Sequence, residues 1–302
     1  MSRRLLLLIV FVIVAAALLF VPLPIPATYA GRTIENAGHT PLFLIGTLFI
    51  LAILRHDFHL EGARLYAWAG LIGAGCGFLS EVIQRPLRRD ASWEDVFADS
   101  MGVLLALALY ALFDRRSAFR GRTRLAALLI VAGCTINYLA PIVSMVRAYI
   151  YRDAQFPVLA SFRSGAELSW IVGYGINREI RDGALDVEFD AAQFPGFSFH
   201  EPVPDWRRFQ TLVIDVENPE TRPLKLGLRV HDIGHGREFI DRFNRKFELD
   251  AGQRRELRVP LEEIRRGPRN RLIDMAEISD VTLFRLHDSS AQHLRLHNMR
   301  LE

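Results

Sequence analysis

Residues 65–84, LYAWAGLIGAGCGFLSEVIQ, are apolar almost throughout and end in two polar side chains, Glu81 and Gln84. A helix needs about 20 residues to cross the hydrocarbon core of a membrane, and this run is long enough to do so. Four further apolar runs lie in the first half of the chain, at residues 5–22, 38–54, 96–113 and 125–146. We therefore predict a membrane all-α bundle of about five transmembrane helices over residues 1–150.

The two halves of the chain differ in charge. Before residue 155 there are 15 Arg and 10 acidic residues, whereas the remainder has 22 Arg and Lys against 24 acidic residues. The basic excess belongs to the membrane half, where arginines in short loops indicate helix topology rather than a polyanion site. We predict no nucleic-acid partner, and the membrane is the first partner that the sequence implies.

Arginine placement predicts the orientation of the bundle. Arg3 and Arg4 precede the first apolar run, and the loop at 114–124, DRRSAFRGRTR, carries five arginines and one acid. Because such loops stay in the cytoplasm, the N-terminus is predicted to be cytoplasmic and the chain after residue 150 periplasmic or extracellular. This is the topology of a multi-pass protein of the bacterial cytoplasmic membrane. Residues 1–30 also fit a cleaved signal peptide. Cleavage would leave the new N-terminus outside the cytoplasm and would not change the predicted side of any later segment.

Residues 80–102, SEVIQRPLRRDASWEDVFADSMG, place much charge beside two apolar runs. In the predicted orientation this stretch and His39 lie at the outer membrane face, and ionisable groups at membrane depth normally face a partner or a wet cavity. We therefore predict a ligand-binding site there. Its residues are His39, Glu81, Gln84, Arg88, Arg89, Asp95 and Asp99. The alternative is structural, with the acids pairing with the loop arginines and capping the helices.

The segments GHTPLFLIGTLF, GLIGAGCGFLSEVIQ and ASWEDVFADSMGVLLAL together resemble the VanZ-like membrane family over about residues 30–115. The resemblance places the family's His, Glu-x-x-Gln, Asp and Gly on His39, Glu81, Gln84, Asp95 and Gly102. Asp99 stands where the family commonly has Asn, and the family's loop Arg corresponds to Arg88 or Arg89. The resemblance implies a cell-envelope setting, namely teicoplanin-type glycopeptide resistance or envelope polysaccharide metabolism, without an agreed reaction.

From about Phe156 the pattern changes to short runs in which apolar and polar residues alternate. These runs are ALDVEFD (184–190), TLVIDVEN (211–218), LKLGLRVHD (224–232), RRELRVPL (254–261), DVTLFRL (280–286) and LRLHNMRL (294–301). Alternation at period two between turn clusters such as ENPETRP predicts antiparallel strands with one buried face. Residues 155–302 are therefore predicted to form an all-β, jelly-roll-like sandwich outside the membrane.

The segments WRRFQTLVIDVENPETRPLKLGLRVHD and EFIDRFNRKFELDAGQRRELRVPL resemble galactose-binding-like sandwiches, a group that includes many carbohydrate-binding modules. The resemblance implies a glycan partner. A sugar platform needs an exposed aromatic ring. The candidates are Trp206, Trp170, Phe243 and Phe199. Burial in the core is the alternative for each ring.

The motif HDIGH at residues 231–235 does not fit a metal site. Histidines four residues apart share a face only on a helix, and these lie at a predicted strand end among glycines. We predict no metal site and no cofactor.

The first functional hypothesis is a non-enzymatic envelope protein whose sandwich binds glycan and whose polar outer site contacts a cell-wall or lipid-linked ligand. The alternative is a membrane enzyme acting on a lipid-linked saccharide, with Glu81 or Asp99 as general acid or base and His39 as proton shuttle. A third hypothesis is a polysaccharide-export assembly partner whose sandwich binds envelope proteins.

Overall fold

The computed structural model describes residues 3–21, 28–84, 93–114, 121–236, 238–287, 289 and 291–302. Two compact units are present, residues 1–144 and residues 145–302. The predicted loop residues Arg85, Arg88 and Arg89 lie outside the described part of the chain.

The described N-terminal residues form helices, as predicted. They are α1 (Arg3–Phe20), α2 (Tyr29–His56), α3 (Gly62–Gln84), α4 (Trp93–Phe113) and α5 (Arg122–Gln155). Helices α2 to α5 are long and apolar enough to cross a membrane, and the apolar part of α1 covers Ile9–Phe20. Helix α2 begins nine residues before its predicted span. The Thr28 hydroxyl caps it by accepting a hydrogen bond from the Gly31 amide, a local signal that hydropathy does not contain.

Helices α2 and α4 touch closely at Gly102. A Cβ atom at this position would lie 2.4 Å from the Thr40 carbonyl oxygen and 3.0 Å from the Leu44 amide nitrogen, both backbone atoms. The Thr40 hydroxyl also donates to the Ala98 carbonyl at 3.1 Å. Small residues allow this approach of two backbones, which is the usual basis of helix association in membranes.

A charged pair joins the C-terminal ends of α2 and α4, away from Gly102. Arg55 Nη1 lies 2.6 Å from Asp114 Oδ2 and 3.1 Å from the Tyr110 hydroxyl. The Tyr66 ring meets the Tyr110 ring edge-on, with centroids 6.1 Å apart. Since the pair is largely buried, each charge satisfies the other and fixes the ends of both helices.

The second unit contains two antiparallel sheets. Its strands are β1 (Val158–Ala160), β2 (Ile171–Tyr174), β3 (Ile176–Arg181), β4 (Ala184–Phe189), β5 (Gly196–His200), β6 (Thr211–Glu217), β7 (Leu224–Asp232), β8 (Phe243–Leu249), β9 (Arg254–Pro260), β10 (Ile278–Arg285) and β11 (His293–Leu301). One sheet has the order β3-β4-β11-β6-β9 with β1 beside β11, and the other has β2-β5-β10-β7-β8. The all-β sandwich is confirmed, and each of the six alternating runs is a strand. A short helix, α6 (Leu261–Arg265), follows β9.

A buried carboxylate organises the loop that follows β1. Glu167, in a 3-10 helix at Gly165–Trp170, has no exposed surface and accepts hydrogen bonds from the Ser161, Phe162 and Arg163 amides at 2.7 to 3.2 Å. The Tyr151 hydroxyl, from the last turns of α5, donates to the same carboxylate at 3.1 Å. The end of α5 is therefore part of the sandwich unit rather than a detached linker.

Candidate functional site

The structure brings His39, Glu81 and Asp99 together in the bundle. His39 Nδ1 lies 2.9 Å from Asp99 Oδ1, and one ligand-type atom from each of the three residues lies within 4.8 Å of the others. Glu81 is 5 % exposed and Asp99 is 1 % exposed. Three residues from three different helices thus form one buried polar cluster, which we call the bundle cluster.

Small residues place the bundle cluster. A Cβ atom at Gly77 would lie 3.0 Å from Asp99 Cβ and 3.1 Å from Asp99 Oδ2, so glycine lets α3 approach the carboxylate without a tight contact. Gly102 brings α2 onto α4 one turn further along α4. The cluster therefore depends on the close packing of α2, α3 and α4.

The other predicted bundle residues have separate positions. Gln84 is buried, and its Nε2 donates to the Leu19 carbonyl at 2.9 Å, which ties the end of α3 to the end of α1. Asp95 lies one turn before Asp99 on α4 and is half-buried. Gln84 is thus engaged in a helix-to-helix contact rather than turned into the bundle cluster.

The aromatic residues predicted as a sugar platform are in the core instead. Trp206 is fully buried, Trp170 is 3 % exposed, Phe243 is 6 % exposed and Phe199 is 2 % exposed. The Trp206 ring nitrogen donates to the Val203 carbonyl at 2.8 Å, which satisfies its polar atom inside the protein. A ring without exposed surface cannot stack on a sugar from solvent, so these four residues are corrected to core residues.

A different aromatic surface lies on the outward face of the five-stranded sheet. Strand register places Tyr174, Gly196, Phe284 and Gly227 in one row across β2, β5, β10 and β7. The next row contains Val172, Ser198, Thr282 and Arg229, and the third contains His200, Asp280 and His231. On β5, β10 and β7 the residues between these rows are buried, as the period-two pattern requires. We call this surface the sheet face.

Phe284 and Arg229 form the centre of the sheet face. A Cβ atom at Gly227 would lie 2.2 Å from Phe284 Cζ, so the end of this ring occupies the space that a side chain at residue 227 would need. Arg229 Cζ lies 5.2 Å from the Phe284 centroid, and Phe194 meets the same ring edge-on at 6.3 Å. Tyr174 is 67 % exposed at one edge of the row. The row thus offers aromatic surface with a cation stacked on it.

Polar groups beside the rings can bind hydroxyl groups. Arg229 Nε is buried and has no hydrogen-bond partner among the described residues, and desolvation lowers the pKa of this guanidinium, helped by the nearby charge of Arg242. The Asp280 carboxylate accepts from the Thr282 hydroxyl at 2.6 Å and lies 3.1 Å from His200 Nδ1. Desolvation also lowers the pKa of His231, across the strand from Asp280, and so favours its neutral form.

HDIGH has a structural role. Asp232, at the end of β7, is 2 % exposed and accepts from Arg271 at 2.6 and 2.7 Å and from the Asp274 amide at 2.7 Å. His231 and His235 stack at 4.4 Å between ring centroids. Both oxygens of Asp232 are thus engaged by protein donors, so this carboxylate stabilises the loop after β7.

A surface groove of about 470 Å³ lies over β3, β4 and β11 of the six-stranded sheet. Asn177, Glu179, Asp186, His293 and Arg295 contribute polar side chains to it, and its described lining contains no Phe, Tyr or Trp. Arg295 and Asp186 pair at 2.6 and 3.1 Å. Charged groups that already satisfy each other leave this groove less suited to sugar stacking than the sheet face.

The surroundings of Glu220, in the turn after β6, should make the folding stability of the sandwich depend on pH. Desolvation acts to raise the pKa of Glu220, but hydrogen bonds from His293, the Gln292 amide and Arg222 outweigh it and lower the pKa to about 2. A folded pKa below the unfolded value stabilises the fold above about pH 4.5 and loses that effect as the pH falls toward 2. Glu220→Gln should therefore have a lower unfolding midpoint than wild type at pH 6, and the difference should shrink on acidification. The exposed Glu248→Gln variant is the control, and a gap that stays constant down to pH 2.5 would contradict the assignment.

No protein-family model matches the chain, and no curated protein sequence matches it. Among solved structures, the chain is similar to an agarase at 15 % identity and a TM-score of 0.40, over 48 % of this chain and 26 % of the agarase. It is also similar to a family 11 carbohydrate-binding module from Clostridium thermocellum in complex with a β-1,3-1,4-linked tetrasaccharide, at 13 % identity and a TM-score of 0.38, over 48 % and 93 % of the two chains. A family 29 module from Piromyces equi gives 12 % identity and a TM-score of 0.31, over 44 % and 80 %. Less than half of this chain is matched, and the match spans 93 % and 80 % of the two binding modules and 26 % of the agarase.

Proposed function

We propose that this protein is a membrane-anchored glycan-binding protein of the bacterial cell envelope. The helices hold it in the cytoplasmic membrane with the N-terminus inside, and the sandwich lies on the periplasmic or extracellular side. The observation that carries the proposal is the sheet face, where the exposed Tyr174 ring and the Phe284 ring lie in one row. Arg229, in the next row, stacks on the Phe284 ring.

The chemistry of the sheet face suits a saccharide. Apolar sugar faces pack on aromatic rings, while sugar hydroxyls both donate and accept hydrogen bonds. Here Arg229, in the row next to Phe284 and stacked on its ring, supplies the donors. Asp280 lies two rows from Phe284, and its two oxygens are engaged by Thr282 and His200. Strands about 4.8 Å apart make the four-strand surface about 14 Å wide, which suits an oligosaccharide better than one sugar ring.

The helical unit is proposed to be VanZ-like and to bind a lipid-linked or cell-wall ligand through the bundle cluster. An apolar groove of about 420 Å³ lies between α1, α2 and α3, and its lining includes Ser80, the residue before Glu81, and Phe43, which adjoins Gly77. An amphiphile with a polar head and a lipid tail fits a polar cluster beside an apolar groove. A link to glycopeptide resistance or to envelope polysaccharide metabolism belongs to this part of the proposal.

An enzymatic role for the bundle cluster is the second candidate. The 2.9 Å contact between His39 and Asp99, with Glu81 close by, is the kind of arrangement that general acid–base catalysis uses. In an enzyme acting on a lipid-linked saccharide, Glu81→Gln should abolish turnover. In a binding protein, the same variant should leave glycan binding by the sandwich unchanged.

The proposal is tested with the full chain in lipid nanodiscs on a panel of immobilised peptidoglycan fragments, bacterial envelope polysaccharides and mixed-linkage glucan. Tyr174→Ala and Arg229→Ala should each weaken binding to the best glycan by about tenfold or more, because the first removes the most exposed ring of the sheet face and the second removes the guanidinium at its centre. Arg254→Ala, which removes an exposed arginine paired with Asp215 on the other sheet, should bind like wild type. Wild type that binds none of these glycans, or equal affinities for all variants, would contradict the proposal, and capture of an envelope protein instead would favour the assembly hypothesis.

A further inference from the structure

We propose that the bundle cluster is a binding site for a divalent transition-metal ion of the zinc or manganese class, held by His39, Glu81 and Asp99. One imidazole nitrogen and two carboxylates form a ligand set that such ions accept. Among the residues that the structure describes, this is the single group of three or more His, Cys, Asp or Glu side chains close enough to share an ion. The inference concerns the helices alone and does not depend on glycan binding by the sandwich.

The spacing of the ligand atoms fits an ion after a small adjustment. A tetrahedral zinc ion with ligands at about 2.1 Å holds its ligand atoms about 3.4 Å apart. The three residues offer atoms within 4.8 Å of one another, and His39 Nδ1 is 2.9 Å from Asp99 Oδ1. For a tetrahedral ion, His39 Nδ1 and Asp99 Oδ1 would have to move apart by about 0.5 Å, a change of the size that side-chain rotation gives.

The charge of the cluster also favours a cation. The Asp99 carboxylate, 1 % exposed, lies beside a histidine and a second carboxylate inside the bundle, and a buried carboxylate is costly unless its oxygens are satisfied. Asp99 Oδ1 lies within hydrogen-bond distance of His39 Nδ1. Asp99 Oδ2 is buried beside Gly77 and has no hydrogen-bond partner among the described residues. An ion at the cluster would satisfy this oxygen.

Three protein ligands leave at least one coordination position open. Zinc sites that are purely structural are closed by four protein ligands, whereas an open position accepts water or an anionic oxygen of a bound molecule. A phosphate or carboxylate group is therefore the ligand class that the ion would recruit to the bundle.

The test uses the full chain in lipid nanodiscs, purified on a tag without histidine, stripped with a chelator and titrated with Zn²⁺ alone and then with Co²⁺ alone. Wild type should bind about one Zn²⁺ per chain, unfold at a higher temperature with Zn²⁺, and give a visible Co²⁺ absorption band. His39→Ala, Glu81→Gln and Asp99→Asn should each weaken binding at least about 100-fold.

Two controls separate the bundle cluster from other ligands. Glu94→Gln removes an exposed acid from the start of α4, and a double His231→Ala, His235→Ala variant removes the stacked histidines of the sandwich. Both should bind Zn²⁺ like wild type. The proposal would be overturned if monodisperse wild type showed no thermal shift with Zn²⁺ and no Co²⁺ absorption band. It would also be overturned if the His231→Ala, His235→Ala double variant lost Zn²⁺ binding.

Discussion

Replacing Gly102 with valine should remove the folded helical unit or lower its stability by about 3 kcal/mol or more. A Cβ atom at this position already lies 2.4 Å from the Thr40 carbonyl oxygen and 2.9 Å from Phe43 Cβ. Overpacking against side chains typically costs about 1 to 3 kcal/mol, and here the obstacle includes backbone, which cannot rotate away. Helices α2 and α4 must therefore separate, and His39 would lose its contact with Asp99. The measurement is thermal unfolding in detergent, followed by size-exclusion chromatography.

Gly75→Ala is the matched control for Gly102. A Cβ atom at Gly75, in the middle of α3, meets nothing within 4 Å, so alanine should be neutral or stabilise the helix by up to about 1 kcal/mol. Gly102→Ala should already unfold at a lower temperature than Gly75→Ala. Equal midpoints for the two alanine variants would contradict the close contact between α2 and α4.

Removing the carboxylate of Glu167 should destabilise the sandwich by about 4 kcal/mol. In Glu167→Ala the Ser161, Phe162 and Arg163 amides and the Tyr151 hydroxyl lose their acceptor. The Phe162 amide is buried and the other groups are partly buried, and an unsatisfied buried donor costs about 1 to 3 kcal/mol. Phe162 also has a φ of +55°, a conformation that a residue with a side chain rarely adopts and that these hydrogen bonds hold in place. The measurement is urea unfolding of the full chain in nanodiscs, with pulse proteolysis reporting on the sandwich.

Two further variants control this experiment. Glu179→Ala removes a carboxylate from β3 whose side chain is 59 % exposed, and it should change stability by less than about 1 kcal/mol. Tyr151→Phe removes one donor to Glu167 and leaves the three amides paired, so its loss should be much smaller than that of Glu167→Ala. A Glu167→Ala variant as stable as Glu179→Ala would show that the carboxylate does not hold the loop.

Hydropathy and period-two alternation predict most of the architecture, because both signals reflect burial. The long apolar helices and the six alternating strands follow from them. Strand β3, with the sequence INREIR, and strand β8, with the sequence FNRKFEL, carry many charges, and each lies at the edge of its sheet. Edge strands tolerate charge, so composition alone does not distinguish them from loops.

The two candidate sites differ in how well the sequence predicts them. His39, Glu81 and Asp99 are ionisable groups within or beside apolar runs, and their cost in a membrane is itself a signal. For Trp206 the prediction from sequence is wrong. Its polar neighbours indicate an exposed loop, whereas its ring is buried in the core. A single sequence does not show which way a loop side chain points.

The sheet face is hidden from sequence for a related reason. Its residues are every second position of GFSFH (196–200), GLRVH (227–231) and DVTLF (280–284), which the alternation does predict to be outward. The neighbour of each residue depends on strand order, and β5, β10 and β7 are adjacent only through long-range pairing. Local patterns do not contain that order, so the contact between Phe284 and Arg229 is visible only in the fold.

Mapping the bound glycan tests the central claim most directly. A photo-crosslinking derivative of the best glycan is bound to the full chain in nanodiscs, irradiated, and located by mass spectrometry of the labelled peptides. We expect labels at Tyr174, in 194–200, at Arg229 or His231, and in 280–284, with loss of labelling on competition by the unmodified glycan. Labels concentrated in the groove that contains Asn177 and Arg295, or in the helices, would contradict glycan binding by the sheet face.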